Sequence, residues 1–165
     1  MKKLYCPWRE EYSTSTNDTK KEHITKDACI FCTQFAQHDD EKHYIFKRFP
    51  HCIAMLNLYP YNAGHLLVVP KRHIACISEL TKEERNELME VTSKAVEVLK
   101  ETLGAEGINI GINLGKAAGA GIPSHIHMHV LPRWVGDTNF LPTLSETKTI
   151  SFDINDIYKK LKQQF

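Results

Sequence analysis

The run His125-Ile126-His127-Met128-His129-Val130-Leu131 alternates imidazole with apolar side chains, and Pro132 and Arg133 follow it. Strict alternation is the pattern of a strand with one buried face, because successive strand side chains point to opposite sides. All three histidines therefore share a face, with neighbours roughly 6 to 7 Å apart at a rise of about 3.3 Å per residue. That spacing suits a row of groups acting on one extended substrate. It equally suits a metal, since imidazoles projecting from one strand can hold zinc with an open position for water. Spacing alone leaves both readings open.

The remaining periodicities supply the sheet in which such a strand must sit. Tyr44-Ile45-Phe46 and Cys52 through Asn57 are β-rich and flank Phe49-Pro50-His51, which suits a hairpin. After the turn residues Tyr59 to Gly64, His65-Leu66-Leu67-Val68-Val69-Pro70 reads as a continuous apolar strand ended by proline and basic residues. Ile108 to Asn113 alternates as a further strand. Thr81-Lys82-Glu83-Glu84 is a capping box, and Leu88, Val91, Ala95, Val98 and Leu99 recur at helical spacing up to Gly104, which can terminate the helix in the left-handed conformation. This predicts one long helix of about 22 residues. Ile154, Ile157, Tyr158 and Leu161 predict a terminal amphipathic helix. Strands joined by hairpin-length turns, without repeating strand-helix alternation, indicate an α+β fold on an antiparallel sheet of about five strands.

Its 165 residues correspond to one ordinary domain, here expected over 28–165, with a polar arm over 1–27 that has few apolar residues to bury. A formal net charge of +1 gives no broad electrostatic argument for nucleic acid or an anionic membrane, so a polyphosphate would need a local site. No stretch reaches signal-peptide or transmembrane length, which makes the cytoplasm the default location. The five cysteines are an odd count in a chain without export signals, which argues against a disulfide framework. Cys6, Cys52 and Cys76 read as ordinary reduced thiols, but Cys29-Ile30-Phe31-Cys32 can converge two sulfurs on one point if it forms a turn or first helical turn. Leu114 to Ser124, with Gly115, Gly119 and Gly121, feeds directly into the histidines. It is either an ordinary turn or a cradle whose backbone N–H groups approach a phosphate. Trp134 reads either as core or as a pocket wall, and Arg133 as a surface residue or a phosphate contact.

His125 to Leu131 resembles the signature of the histidine-triad (HIT) family of nucleotide hydrolases and transferases. Gly64 to His73 is similar to the family's second characteristic strand, and Cys29 to Cys32 to its N-terminal metal-binding pair. Leu4 to Tyr12, with Pro7-Trp8-Arg9, and Trp134 to Phe140 resemble the bacterial branch that includes diadenosine tetraphosphate phosphorylases and hydrolases. The resemblance implies an enzyme that cleaves at the α-phosphorus of nucleoside 5′-phosphate conjugates or dinucleoside polyphosphates. By the same resemblance His127 is the nucleophile that forms a covalent nucleotidyl-imidazole, and His129 contacts the phosphate and assists charge or proton movement. Asn57 hydrogen-bonds the ribose with Leu58 beside it, and Asn113 and Gly119 contact the α-phosphate.

The resemblance further implies a structural zinc on Cys29, Cys32, His73 and His125, a closed Cys₂His₂ set that performs no step of the reaction. No organic cofactor is implied, and a homodimer through the long helix and a strand is. One departure stands out: Ala118-Gly119-Ala120-Gly121-Ile122-Pro123-Ser124 lacks the polar side chain that many relatives place directly after the Ala-Gly of the loop. Backbone N–H groups or Ser124 would have to substitute. That departure keeps a nucleotide-binding regulatory protein with vestigial chemistry as one alternative, and the histidine spacing leaves a metal-dependent hydrolase using all three histidines as another.

Overall fold

The computed structural model describes residues 29–145 and 152–165. The expected arm over 1–27, Cys6 and the Leu4 to Tyr12 run lie outside the described residues. In chain order the elements are α1 (Ile30–Ala36), β1 (Ile45–Arg48), β2 (Cys52–Leu56), β3 (Leu66–Pro70), α2 (Lys82–Leu103), β4 (Gly107–Ile112), β5 (Met128–Arg133), α3 (Leu141–Ser145) and α4 (Ile154–Lys162). The five strands form one sheet in the order β1-β2-β3-β5-β4, and every neighbouring pair is antiparallel. This is the expected α+β architecture.

β2 and β3 are buried along their whole length because both faces of the sheet are covered. Cys52, Ala54, Leu56, Leu66, Val68 and Val130 face the core built by Leu88, Val91, Ala95 and Leu99 of α2 and Ile157 and Leu161 of α4. Ile53, Met55, Leu67 and Val69 point the other way, onto Phe31 and Phe35 of α1. Alternation thus sorts each strand into two cores, and full burial of each Leu, Ile or Val contributes roughly 1.5–3 kcal/mol. α4 is pinned to β1 by Tyr158, whose hydroxyl donates to the Ile45 carbonyl at 2.9 Å, and by Lys162, whose ammonium donates to the Ile45 and Phe46 carbonyls.

α2 starts and stops where the sequence predicts. Thr81 Oγ1 accepts from the Glu84 N–H, the Glu84 carboxylate accepts from the Thr81 N–H, and Gly104 ends the helix at φ +62°. Glu84 also takes Nε and Nη2 of Arg72 at 2.9 and 2.7 Å, which ties the segment after β3 to the start of α2. The β2–β3 turn meets the other end of α2 at Gly64, where φ is +74° and a Cβ would lie 2.5 Å from Leu103 Cδ1.

One boundary differs from expectation. The ladder between β3 and β5 begins at Val68 opposite Met128, so His125 and His127 precede the strand instead of lying within it. β3 ends at Pro70, which has no N–H to extend the pairing. The chain is carried past that end by the Ile126 N–H to the Ile74 carbonyl at 2.7 Å and by the His125 ring to the Pro70 carbonyl at 2.8 Å.

Candidate functional site

Register decides which way the histidines look. His129 pairs with Leu67, so it shares the sheet face of Leu67 and Met55 and not the face packed on α2. His127 stays on the same side, with its ring 4.9 Å from that of His129 and 5.2 Å from Phe31 of α1. Both line a pocket that opens to solvent between α1, the end of β2 and the loop after β4. Asn57, Leu58, Asn113 and Gly119 line the same pocket, so it gathers every residue expected to touch nucleotide.

Hydrogen bonds fix the state of each ring. His127 Nδ1 donates to the His125 carbonyl at 2.9 Å, so its Nε2 carries the lone pair. Burial pushes the His127 imidazole below its ordinary pKa, opposed only by that carbonyl bond, and the ring is neutral near pH 7. His129 is oriented by His65, a fully buried residue just before β3. The Tyr61 N–H donates to His65 Nδ1 at 3.2 Å, leaving His65 Nε2–H to donate to His129 Nδ1 at 3.0 Å. The proton of His129 therefore resides on Nε2.

The loop that follows β4 turns tightly at Gly119 (φ +85°), after a single 3₁₀ turn over Lys116–Ala118. It offers the pocket the backbone of Gly119 and Gly121 and the side chain of Ile122. Ser124 is not the missing polar group: its hydroxyl is buried, lies off the pocket and has no hydrogen-bond partner among the described residues.

His125 belongs to a second cluster. Its Nδ1 lies 3.3 Å from Cys29 Sγ, 3.6 Å from Cys32 Sγ and 3.4 Å from His73 Nδ1, and Cys32 Sγ is 3.5 Å from His73 Nδ1. All four ligand atoms lie within 4.8 Å of one another. Zinc bonds of about 2.0–2.3 Å at tetrahedral angles separate ligand atoms by roughly 3.3–3.8 Å, so the set fits a zinc ion. The bond from His125 Nε2–H to the Pro70 carbonyl leaves Nδ1 free to ligate, and burial pushes this imidazole down to about 4. Cys29 caps α1 and Cys32 lies in its first turn, the geometry that converges the two sulfurs. Because His127 and His129 face the pocket and not this cluster, the three histidines do not act as one ligand set.

Arg133 and Trp134 stand away from the pocket. Asp137 takes Nε and Nη2 of Arg133 at 2.6 and 2.9 Å, and also the Asn62 amide at 2.8 Å. This pairing holds the Asp137 carboxyl far below the usual carboxylate range. Trp134 is half-buried beyond the end of β5. Sequence reasoning missed His65, Tyr61, Ile30 and Gln34. Ile30 and Gln34 could have been found from their four-residue spacing behind Cys29, which puts both on one helix face.

Comparison with known proteins gives a consistent picture. Residues 38–135 match the HIT domain. An AP-4-A phosphorylase of Mycobacterium tuberculosis is 35% identical over 165 residues, covering 100% of this chain and 85% of that protein. An asymmetrical bis(5'-nucleosyl)-tetraphosphatase of Schizosaccharomyces pombe is 36% identical over 93 residues, covering 56% of this chain and 50% of its own. Among solved structures, a Zn-bound histidine triad family protein from Mycobacterium smegmatis superposes with a TM-score of 0.69 at 26% identity, covering 85% of this chain and 94% of that one. No helix among the described residues is long and apolar enough to cross a membrane.

Proposed function

Because the chain belongs to the HIT domain family, we propose that it is an enzyme cleaving dinucleoside polyphosphates such as diadenosine tetraphosphate at the α-phosphorus, with His127 as nucleophile. The observation that carries this reading is the bond from His127 Nδ1 to the His125 carbonyl, which leaves a neutral ring with its Nε2 lone pair in the pocket. Neutral, desolvated imidazole is a competent nucleophile near pH 7. Nε2 of His127 forms a bond to the α-phosphorus as the bond to the polyphosphate oxygen breaks, and the electron pair leaves with that oxygen. His129 Nε2–H, together with the backbone around Gly119, hydrogen-bonds the phosphate oxygens as charge develops. Asn57 binds the ribose with Leu58 beside it, and Asn113 contacts the α-phosphate. A second acceptor then attacks the phosphorus and frees His127. Water gives a mononucleotide, and inorganic phosphate gives a nucleoside diphosphate.

Cys29, Cys32, His73 and His125 would hold zinc in this reading, and the metal supplies a cross-link between α1, the segment after β3 and the approach to β5. The M. smegmatis relative described as Zn-bound supports that assignment. We also assign residues 28–165 to one catalytic domain behind an arm over 1–27. A homodimer is supported by the open edge of β4, where Ile110 is 50% exposed, and by Met89 on α2, 56% exposed. Among the described residues Cys52 and Cys76 are free thiols outside the zinc set, which suits the reducing cytoplasm.

The test is incubation with diadenosine tetraphosphate, with and without inorganic phosphate. AMP plus ATP identifies hydrolysis, and ADP plus ATP only when phosphate is supplied identifies phosphorolysis. Tight nucleotide binding with no product under either condition would replace the enzyme by a binding protein.

A further inference from the structure

Gln34 lies on a wall of the pocket that the proposed chemistry does not use. That wall is apolar, made by Ile30 and Phe31 of α1 with Met55 and Leu67 from the sheet. Ile30 and Gln34 are one helical turn apart and both line the pocket, so a carboxamide sits beside an apolar slot. Gln34 is half-buried, and its carboxamide takes part in no hydrogen bond among the described residues. The pocket's other amides are differently placed. Asn57 is engaged by the Tyr59 N–H and by His65, and Asn113 stands at the mouth of the glycine loop.

For a nucleotide with its α-phosphorus at His127 and its ribose at Asn57, this apolar slot on the α1 side of the same pocket is a fitting seat for the base. We infer that Gln34 is a specificity-determining residue that reads the edge of that base and selects adenine, an inference that rests on the nucleotide-cleaving reading above. A carboxamide carries one acceptor and one N–H₂ donor side by side, the complement of adenine's exocyclic amine and adjacent ring nitrogen. Guanine presents three groups on its Watson–Crick edge. A single amide can satisfy two of them, leaving an amine against Ile30 and Met55, and an unpaired polar group on an apolar wall is disfavoured.

Gln34→Glu and Gln34→Leu separate the possibilities, because Gln34 lies on a helix surface that either side chain can occupy without repacking a core. Glutamate offers acceptors only, which suit guanine's two adjacent donors and repel adenine's ring nitrogen. The measurement is kcat/KM on diadenosine and diguanosine tetraphosphate, together with equilibrium binding of AMP and GMP. The wild type should prefer adenine. Gln34→Glu should move the ratio toward guanine by roughly 5- to 150-fold, the range of one bidentate base contact. Gln34→Leu should bring the ratio toward one. A wild-type ratio near one, or a ratio that neither variant moves, overturns the role of Gln34 while leaving the enzyme reading intact. A wild type that neither binds nor cleaves any of these nucleotides overturns the enzyme reading itself and this inference with it.

Discussion

His65 Nε2 lies 3.0 Å from His129 Nδ1, and the His65 ring is held in turn by the Tyr61 N–H. One buried imidazole therefore decides which nitrogen of another carries its proton. His65→Leu removes that control while keeping an apolar volume at a fully buried position. We expect kcat to fall about 100-fold, the effect of losing one well-placed donor to developing charge, with KM nearly unchanged. Steady-state kinetics on diadenosine tetraphosphate decide it, and an unchanged kcat would remove His65 from the mechanism.

His127→Ala should abolish turnover and leave the fold and nucleotide binding largely intact. Calorimetric titration with AMP beside an activity assay gives both readings. Residual turnover comparable to the wild type would rule out a covalent nucleotidyl-histidine.

Metal content should respond to a residue far from His127 in sequence. Cys29→Ser is expected to lose bound zinc and about 3 kcal/mol or more of stability, because structural metal binding is folding free energy. Elemental analysis and thermal melting check this; zinc retained at wild-type stoichiometry would move the metal elsewhere.

Acid should unfasten the start of α2. The Arg72 guanidinium beside Glu84 holds its folded carboxyl at about 2, against an ordinary 4.5. A lowered folded value means the stabilisation is complete above pH 4.5 and is lost as the pH falls toward 2. Glu84→Gln, which keeps the shape and removes the charge, should be less stable than the wild type at pH 7. The difference should shrink below pH 4.5 in denaturant melts, whereas a gap constant with pH would show that the pair contributes nothing through charge.

Gly64→Ala places a Cβ 2.5 Å from Leu103 Cδ1 at φ +74°. Left-handed strain and overpacking together should cost about 2–4 kcal/mol. Equilibrium unfolding measures the loss, and a change below about 0.5 kcal/mol would show that α2 yields freely at its end.

Local signals were the ones legible in sequence. The Thr81 box and Gly104 bounded α2, and apolar periodicity found each strand of the sheet. The Cys29, Cys32, His73 and His125 set came from family resemblance, and the structure brings those four ligand atoms together. Long-range consequences were not legible. His127 lies outside the ladder because Pro70 ends β3, a fact about a neighbouring strand that alternation cannot register. His65 read as one more residue of an apolar strand, since its role depends on a partner 64 positions away. Arg133 admitted two readings until Asp137, four residues on, took up its guanidinium.

The proton on His127 is held by a peptide carbonyl, not by another side chain. A side-chain partner can be lost by one substitution, and with it the reactive form of the ring. A main-chain oxygen is present whatever residue stands at position 125. The nitrogen proposed to attack is thus specified by the path of the backbone, so the residues around His127 are free to diverge without changing which ring nitrogen carries the lone pair.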